Sequence, residues 1–362
     1  MPKPDSTSET ALETLLKARI AASGPIALAD YMATCLLHPA HGYYTTRDPL
    51  GRAGDFVTAP EISQMFGELL GLCLAQAWVD QGAPPRFILA ELGPGRGTLM
   101  ADLLRATRAV PGFHAAAGLH LVEASPSLRN AQQVALGGFS VTWADSIDAL
   151  PDDAPLFLIA NEFFDALPIR QFTRHIDGWC ETIVGVAQGA LAKGYAAPLA
   201  LPALAHRLDD TKPGDVVETR PEATPILARI GAQITAHGGA ALIIDYGNWR
   251  SRGDTLQALR NHSFADPFAA AGHADLTAHV DFEALAQAAH PALATGLTDQ
   301  GALLARLGIG ARAERLSRNL TGASLENHLA ATQRLTRPEE MGSLFKALAL
   351  YAAHSPAPPG FD

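Results

Sequence analysis

The stretch that decides the fold is Arg86–Leu92 (RFILAEL), followed directly by the glycine-rich Gly93–Thr98 (GPGRGT). A short apolar run of this kind is typical of a β-strand that is buried on both faces. The next residues, 98–108, have helical spacing, so the glycines occupy a strand-to-helix turn. Glycines let the backbone approach a ligand closely, and the N–H groups of a helix start favour negative charge. The sequence therefore predicts a cofactor loop at this turn.

The alternation of apolar runs with helical segments continues along the chain. The further predicted strands are His120–Glu123, Ser140–Trp143, Leu156–Ala160 and Ala241–Tyr246. Helices are predicted between them, at Ser127–Ala135 and Ile226–Ala236. Strands that alternate with helices in this way form parallel sheets. We therefore expect an α/β fold with a doubly wound, mostly parallel sheet of the Rossmann-like kind.

The rest of the chain predicts additions to this sheet. Residues 1–80 look largely helical, and Thr58 with Glu61 has the pattern of a capping box that opens one helix reaching about Val79. Residues 170–220 alternate like antiparallel strands, which indicates an inserted β-rich subdomain. Residues 84–169 and 221–362 would then form the core, with Leu276–Ala288 as one of its helices.

Composition limits the possible functions. The 362 residues are 48% apolar, which is enough for a buried core, and carry a formal net charge of −10, which argues against non-specific nucleic-acid binding. The three cysteines are widely spaced, so they predict neither a disulfide scaffold nor a zinc site. We see no metal motif, secretory signal or membrane-spanning run, and we expect a cytoplasmic protein. The oligomeric state is not indicated.

The glycine spacing narrows the choice of ligand. Dinucleotide loops have the pattern G-x-G-x-x-G, which would indicate an NAD-dependent oxidoreductase, but this chain has G-x-G-x-G with an acid two residues before it. A carboxylate there suits a cation better than a diphosphate, which favours S-adenosylmethionine. We expect this cofactor to contact the following residues of the first three strand ends: Glu91 near its methionine part, Gly93, Gly95, Gly97 and Thr98 beneath it, Glu123 at the ribose hydroxyls and Asp145 at the adenine amino group.

Polar residues also follow the fourth predicted strand, in the segment Asn161–Pro168 (NEFFDALP). Doubly wound sheets bind ligands at this edge. If the acceptor is a guanidinium, Glu162 and Asp165 could hold its planar fork and receive a proton. His279 is a further catalytic candidate, although a structural role is the more frequent one for such a histidine. Asp245 and Tyr246 could line an acceptor channel.

Long stretches of the chain resemble the MidA-like class I methyltransferases, relatives of the mitochondrial arginine methyltransferase of complex I assembly. The matching stretches, each in the order of that family, are GDFVTAPEISQMFGE (54–68), ELGPGRGTLMADLLR (91–105), NEFFDALPIRQF (161–172), ALIIDYG (241–247), GDTLQALRNHSFADPF (253–268), ADLTAHVDF (274–282) and MGSLFKALAL (341–350). Because several of them are ten residues or longer, they favour a family relationship over chance agreement.

The resemblance implies an S-adenosylmethionine-dependent protein arginine methyltransferase. Its partner would be the 49-kDa-type subunit of NADH:ubiquinone oxidoreductase (complex I), dimethylated at one arginine during assembly. The alternative is a non-catalytic assembly factor that binds S-adenosylmethionine and the subunit. The resemblance also implies cofactor contacts from Asn161 and from a segment that folds over the cofactor and contains Asp55, Phe56 and Thr58.

Overall fold

The computed structural model of this protein describes residues 9–46 and 58–361. Its helices are α1 (Ala11–Ser23), α2 (Leu28–Leu37), α3 (Tyr43–Thr46), α4 (Ala59–Ile62), α5 (Gln64–Asp80), α6 (Thr98–Thr107), α7 (Phe113–Ala116), α8 (Pro126–Ala135), α9 (Ala223–His237), α10 (Phe282–Ala288), α11 (Gln300–Arg306), α12 (Ile309–Ser317) and α13 (Gly322–Thr336). Its strands are β1 (Ile26–Ala27), β2 (Phe87–Leu92), β3 (Ala117–Val122), β4 (Val141–Ala144), β5 (Leu156–Asn161), β6 (Arg170–His175), β7 (Gly178–Ala187), β8 (Ala190–Tyr195), β9 (Val216–Thr219), β10 (Gly239–Asn248), β11 (Gln257–Arg260), β12 (Ser263–Ala265), β13 (Asp275–Thr277), β14 (Val280–Asp281), β15 (Leu293–Ala294), β16 (Thr298–Asp299) and β17 (Phe345–Tyr351).

The elements form two compact units. The first contains residues 9–46, 166–222 and 251–279, and the second contains residues 58–165, 223–250 and 280–361. In the first unit, antiparallel strands follow the order β1-β7-β6-β9, with β8 beside β7, and β12-β11-β13 form a small separate sheet. The predicted β-rich insertion is therefore present as β6–β9.

The second unit is built on one sheet with the order β15-β17-β10-β5-β2-β3-β4. β2, β3, β4, β5 and β10 pair in parallel, while β17 runs antiparallel to β10. The chain moves outward from β2 through β3 to β4 and then crosses to β5 on the other side of β2. This reversal of direction is the switch point of a doubly wound sheet. The predicted α/β fold with a mostly parallel sheet is confirmed.

Residues 58–80 belong to the second unit, whereas the sequence grouped them with the N-terminal helices. The reason is the close packing of α5 on α6: a Cβ on Gly71 would lie 2.6 Å from Leu103 Cγ, and one on Gly67 would lie 2.8 Å from the Leu99 carbonyl oxygen. Only glycine permits this approach. The helix that follows the glycine-rich loop, α6, therefore packs directly against α5.

Residues 251–279 belong to the first unit, although the sequence placed them in the core. The Gly253 N–H donates to the Val216 carbonyl at 2.9 Å, and the Thr255 N–H donates to the buried Glu218 carboxylate at 2.9 Å. These bonds attach the segment to β9. The segment predicted as helix Leu276–Ala288 also differs, because β13 and β14 occupy its first part and the helix begins only at Phe282.

The predicted single helix from Thr58 is divided in two. Thr58 precedes the four-residue α4, but its side chain makes no capping bond. Ser63 then interrupts the helix with an extended conformation and caps α5 by accepting from the Met65 N–H at 3.3 Å. Pro60 fits the first turn of α4, and the extended Ser63, which caps α5, explains why the helix is interrupted.

A buried carboxylate joins three helices of the second unit. Glu68 on α5 is 3% exposed and accepts hydrogen bonds from Arg105 on α6 and, at 2.7 and 2.9 Å, from Arg312 on α12. Burial alone would raise the pKa of Glu68, but the bonds from the two arginines outweigh it and hold this pKa below its ordinary value. The charge is therefore compensated where it is buried.

We expect Glu68→Ala to lower the free energy of unfolding by about 2 kcal/mol, because two guanidinium groups lose their shared acceptor. Urea unfolding followed by circular dichroism measures the change. The control is Glu314→Ala, which removes an exposed 3.4 Å pair with Arg318 and should change the free energy by less than about 0.5 kcal/mol. Equal effects of the two substitutions would contradict the structural role of Glu68.

No helix among residues 9–46 and 58–361 has the length and apolar character needed to span a lipid bilayer.

Candidate functional site

The carboxyl ends of the parallel strands align at one edge of the sheet. In the register of the strands, Leu92 of β2 lies opposite Val122 of β3 and Ala160 of β5. The residues that come next in each strand, Gly93, Glu123 and Asn161, therefore stand side by side. Three predicted site residues that are far apart in sequence are thus brought together at the switch point.

The glycine-rich turn requires its glycines for conformational reasons. Gly93, Gly95 and Gly97 have φ of 59°, 55° and 82°, in the left-handed region that favours glycine. Gly97 also occupies the N-cap position of α6. A Cβ on Gly93 would lie 2.9 Å from the Phe163 ring, and one on Gly97 would lie 3.3 Å from Gln132 Cα. The missing side chains therefore face neighbouring parts of the protein.

Glu91 is buried within β2 and is not compensated there. Its side chain is 3% exposed, and its Oε2 has no hydrogen-bond partner among the described residues. Burial, together with the nearby negative charge of Glu123, raises the pKa of Glu91 to about 8. An unpaired buried carboxyl group at a ligand-binding edge is suited to hold a cationic group, which would supply the missing partner.

Glu123 lies immediately after β3 and is half-buried. Its Oε1 accepts from the Ser125 N–H at 2.7 Å, and its Oε2 accepts from Gln132 Nε2 at 3.3 Å. Burial raises the pKa of this carboxyl group in spite of these bonds. Each carboxylate oxygen has two lone pairs, so both oxygens retain capacity to accept from hydroxyl groups.

Asp145 follows β4, as the sequence predicted, but its side chain is much more exposed to solvent than that of Glu123. Its side chain is 88% exposed, and its Oδ1 accepts from Arg129 Nη2 at 2.5 Å. Arg129 also donates through Nε to the Glu123 carbonyl oxygen at 2.7 Å. Asp145 thus takes part in an arginine bridge between two strand ends, and its contact with an adenine amino group stays a prediction.

The end of β5 presents an unusual backbone conformation and a carboxyl group. Glu162 has φ of 51°, which is rare for a residue other than glycine and is frequent at functional sites. Its Oε1 accepts from the Ala59 N–H at 3.1 Å and from Asn161 Nδ2 at 3.0 Å. Asn161 Oδ1 is buried and has no hydrogen-bond partner among the described residues. Burial, with the charge of Asp165, raises the pKa of Glu162 to about 7.

Asp245 at the same edge has a supporting role. It is fully buried, and its Oδ2 accepts from the N–H groups of Phe164 and Asp165 at 3.0 and 3.1 Å. Its Oδ1 accepts from the Tyr246 N–H at 2.9 Å. Asp245 thus fixes the turn that carries Glu162 and does not line an open channel. In the sequence, Asp245 is an acid at the end of an otherwise apolar strand. That pattern is compatible both with a channel-lining residue and with one that supports a turn.

Thr98 and Thr58 also lie in the second unit. The Thr98 hydroxyl donates to Glu61 Oε1 at 2.5 Å, so its side chain connects α6 to α4. Glu61 was predicted as part of a capping box with Thr58, but in the structure its carboxylate accepts from Thr98. Asp55 and Phe56 lie outside the described residues, so their predicted cofactor contacts stay predictions.

His279 belongs to the first unit. Its N–H donates to the Thr255 hydroxyl at 2.9 Å, and its carbonyl oxygen accepts from Arg220 Nη1 at 2.8 Å. Burial lowers the pKa of its imidazole. These contacts describe a histidine that is held by its backbone, and its catalytic role stays a prediction.

The residues of the switch point fit S-adenosylmethionine. An unsatisfied buried carboxyl group, Glu91, suits its positively charged methionine part, and the half-buried Glu123 suits ribose hydroxyls. Close packing against Phe163 and Gln132 holds the glycine-rich loop at Gly93 and Gly97. Gln132 is a supporting residue that the sequence did not indicate, whereas Asp245 was indicated as a channel residue and is held instead by backbone N–H groups.

Comparison with known proteins identifies the family. Residues 69–299 match the family model of the Methyltransf_28 S-adenosyl-L-methionine-dependent methyltransferases. The chain is 37% identical to mouse "Protein arginine methyltransferase NDUFAF7, mitochondrial" (Mus musculus), with 96% of this chain and 85% of that protein covered. It is 35% identical to the human protein of the same name, with the same coverage.

A solved structure supports the same relationship. A COG1565 superfamily member from Burkholderia thailandensis, crystallised with bound S-adenosyl-homocysteine, superposes with a TM-score of 0.82 at 32% identity. The match covers 100% of this chain and 95% of that one.

The names of these relatives contradict one expectation. The sequence predicted a cytoplasmic protein, but the mouse, frog and cattle relatives are all named as mitochondrial. The prediction of a cytoplasmic location is therefore wrong, since the relatives point to mitochondria. The error arose because the absence of a secretory signal says nothing about other destinations.

The aligned strand ends, the glycine-rich loop and the extent of these matches lead to one conclusion. This chain belongs to the Methyltransf_28 family and is an S-adenosylmethionine-dependent methyltransferase.

Proposed function

We propose that this enzyme methylates a guanidinium nitrogen of an arginine in a protein, and that the protein is the 49-kDa-type subunit of NADH:ubiquinone oxidoreductase. The observation that carries the proposal is the pair of acids after β5, where Glu162 and the buried Asp165 follow the strand at the switch point. The name of the relatives, protein arginine methyltransferase, supports the acceptor type. The choice of subunit rests on the family resemblance of the sequence.

Carboxylates are the groups that a guanidinium requires. They accept from its N–H groups in pairs, which orients the planar fork and directs one nitrogen. Glu162 is held by the Ala59 N–H and by Asn161 Nδ2, both on Oε1. Its position is therefore fixed before any substrate arrives, which reduces the entropic cost of alignment.

The proton balance assigns a role to Glu162. S-adenosylmethionine supplies an electrophilic methyl group when bound. A guanidinium has a pKa above ~12, so its proton leaves with or after formation of the N–CH₃ bond and not before it. The pKa of Glu162, about 7, allows this carboxylate to take the proton near neutral pH and to release it to solvent afterwards. Asp165 contributes negative charge that raises this pKa.

The cofactor contacts are part of the proposal. Glu91, Gly93, Gly95, Gly97, Thr98, Glu123, Asp145 and Asn161 would hold the cofactor, with Asp55, Phe56 and Thr58 contributed by the preceding segment. Glu91 and Asn161 are the strongest of these, because each has a buried oxygen without a hydrogen-bond partner among the described residues. Such atoms are destabilising unless a ligand satisfies them.

Glu91→Gln should weaken S-adenosylhomocysteine binding about tenfold, because an amide does not compensate an ammonium group. Since the pKa of Glu91 is raised from 4.5 to about 8 by folding, the native protein retains a proton that the unfolded chain releases. Wild-type stability should therefore fall as the pH rises through this window, and the variant should lose that part of the fall. Calorimetric titration and melting temperatures at pH 6 and 9 test both effects. Unchanged affinity would exclude Glu91 from the cofactor site.

Glu162→Gln should lower turnover about 100-fold while S-adenosylhomocysteine affinity stays within about threefold. Because the proton acceptor must be ionised, wild-type kcat should rise with pH up to about 7 and then level, and the variant should lack this rise. Glu326→Gln, on the exposed side of α13, is the matched control. A variant that keeps both its turnover and the pH-dependent rise would remove Glu162 from the reaction.

The acceptor can be identified by peptide mass spectrometry of the respiratory complex from cells with and without this protein. We expect one arginine of the 49-kDa-type subunit to lose about 28 Da, the mass of two methyl groups, in the deficient cells. Wild-type protein should restore the modification, and Glu162→Gln should not. Restored assembly of the complex by a variant that leaves the arginine unmethylated would support the non-catalytic alternative.

A further inference from the structure

A glutamine outside the predicted site connects its parts. Gln132, in the middle of α8, is completely buried. Its Nε2 donates to the Gly95 carbonyl oxygen at 2.7 Å and to Glu123 Oε2 at 3.3 Å. Its Oε1 accepts from Trp143 Nε1 at 2.8 Å. One side chain thus joins the glycine-rich loop, the end of β3 and the strand β4.

The direction of this amide is determined by its partners. The indole N–H of Trp143 is only a donor, so it requires the oxygen of Gln132 on its side. The NH₂ group must then face Gly95 and Glu123, both of which offer only acceptors at these atoms. Because all three contacts agree, the reversed orientation of the amide would lose every bond.

Hydrogen bonds also restrain both oxygens of the Glu123 carboxylate. Its Oε1 accepts from the Ser125 N–H, and its Oε2 accepts from Gln132, so the carboxylate plane has two separate anchors. The Ser125 bond is local, between residues two apart, whereas the Gln132 bond comes from another element. Without Gln132, Glu123 would retain one anchor and could turn about its last side-chain bond.

We propose that Gln132 is a positioning residue that presents the Glu123 carboxylate to the two ribose hydroxyls of the cofactor while it fixes the glycine-rich loop beneath the cofactor. This inference rests on the proposed ribose contact of Glu123. Gln132 acts through Glu123 and Gly95 and does not touch the cofactor. The indole N–H of the half-buried Trp143 holds the oxygen of the amide at 2.8 Å, which fixes the direction of the whole group.

The experiment compares two ligands on each protein preparation: S-adenosylhomocysteine and its 2′-deoxyribose analogue. The wild type should bind the analogue at least tenfold more weakly, because the lost hydroxyl leaves a charged acceptor without its donor. Gln132→Met keeps the size of the side chain and removes its hydrogen bonds. In this variant the ratio of the two dissociation constants should fall below about threefold. The ratio does not depend on the fraction of folded protein, so partial unfolding cannot imitate the result.

Glu123→Ala and the double variant complete a mutant cycle. In the Glu123→Ala background the ratio should already be near one, and Gln132→Met should change it no further. Trp143→Phe, which frees the amide to turn, should give an intermediate ratio.

The outcomes separate the inference from the proposed function. If Gln132→Met keeps the wild-type ratio while Glu123→Ala loses it, the positioning role is wrong and the ribose contact stands. If Gln132→Met weakens both ligands equally, the residue acts on the loop alone and the inference about Glu123 fails. If Glu123→Ala keeps both affinity and ratio, the proposed ribose contact itself is wrong.

Discussion

Parallel pairing of β2 between β3 and β5 is the constraint on which the site depends. The pairing sets Leu92, Val122 and Ala160 at one level of the sheet, so the next residue of each strand emerges at the same edge. The chain turns in opposite directions on the two sides of β2, which is the arrangement that opens a crevice at the carboxyl ends of the strands. A shift of β2 by one residue would also turn its side chains to the opposite face, and the glycine turn would then no longer meet Glu123 and Asn161.

The carboxyl groups at this edge differ from the buried Glu68 of the same unit in how well their charge is compensated. The buried Glu68 is matched by Arg105 and Arg312, and its pKa is lowered. At the edge, burial raises the pKa of Glu91, Glu123 and Glu162. Desolvated carboxyl groups without cationic partners destabilise the free protein, and a positively charged ligand reverses this effect. The same physical chemistry therefore explains both the stable helix junction and the reactive edge.

A layer of satisfied polar groups lies beneath the site. Asp245 accepts three backbone N–H bonds and fixes the turn after β5, while Gln132 connects the glycine-rich loop to Glu123 and Trp143. Neither side chain is exposed. Their bonds restrict the residues above them, which is how a fold holds ligand-facing groups in place before the ligand binds.

Local sequence determined the elements of the sheet and its most distinctive turn, because apolar strand runs and alternating glycines are short-range signals. It also indicated the acids at the strand ends, and long matching stretches indicated the family. Tertiary structure decided what depends on contacts between distant residues. It joins 251–279 to β9 through Gly253 and Thr255, it gives Asp245 the N–H groups of the turn after β5, and it connects Gln132 to the glycine-rich loop and Glu123. The physical reason is that hydrogen-bond partners and burial are properties of the packed chain. The residue type alone does not show whether a carboxylate or amide will contact solvent, a backbone N–H or a ligand.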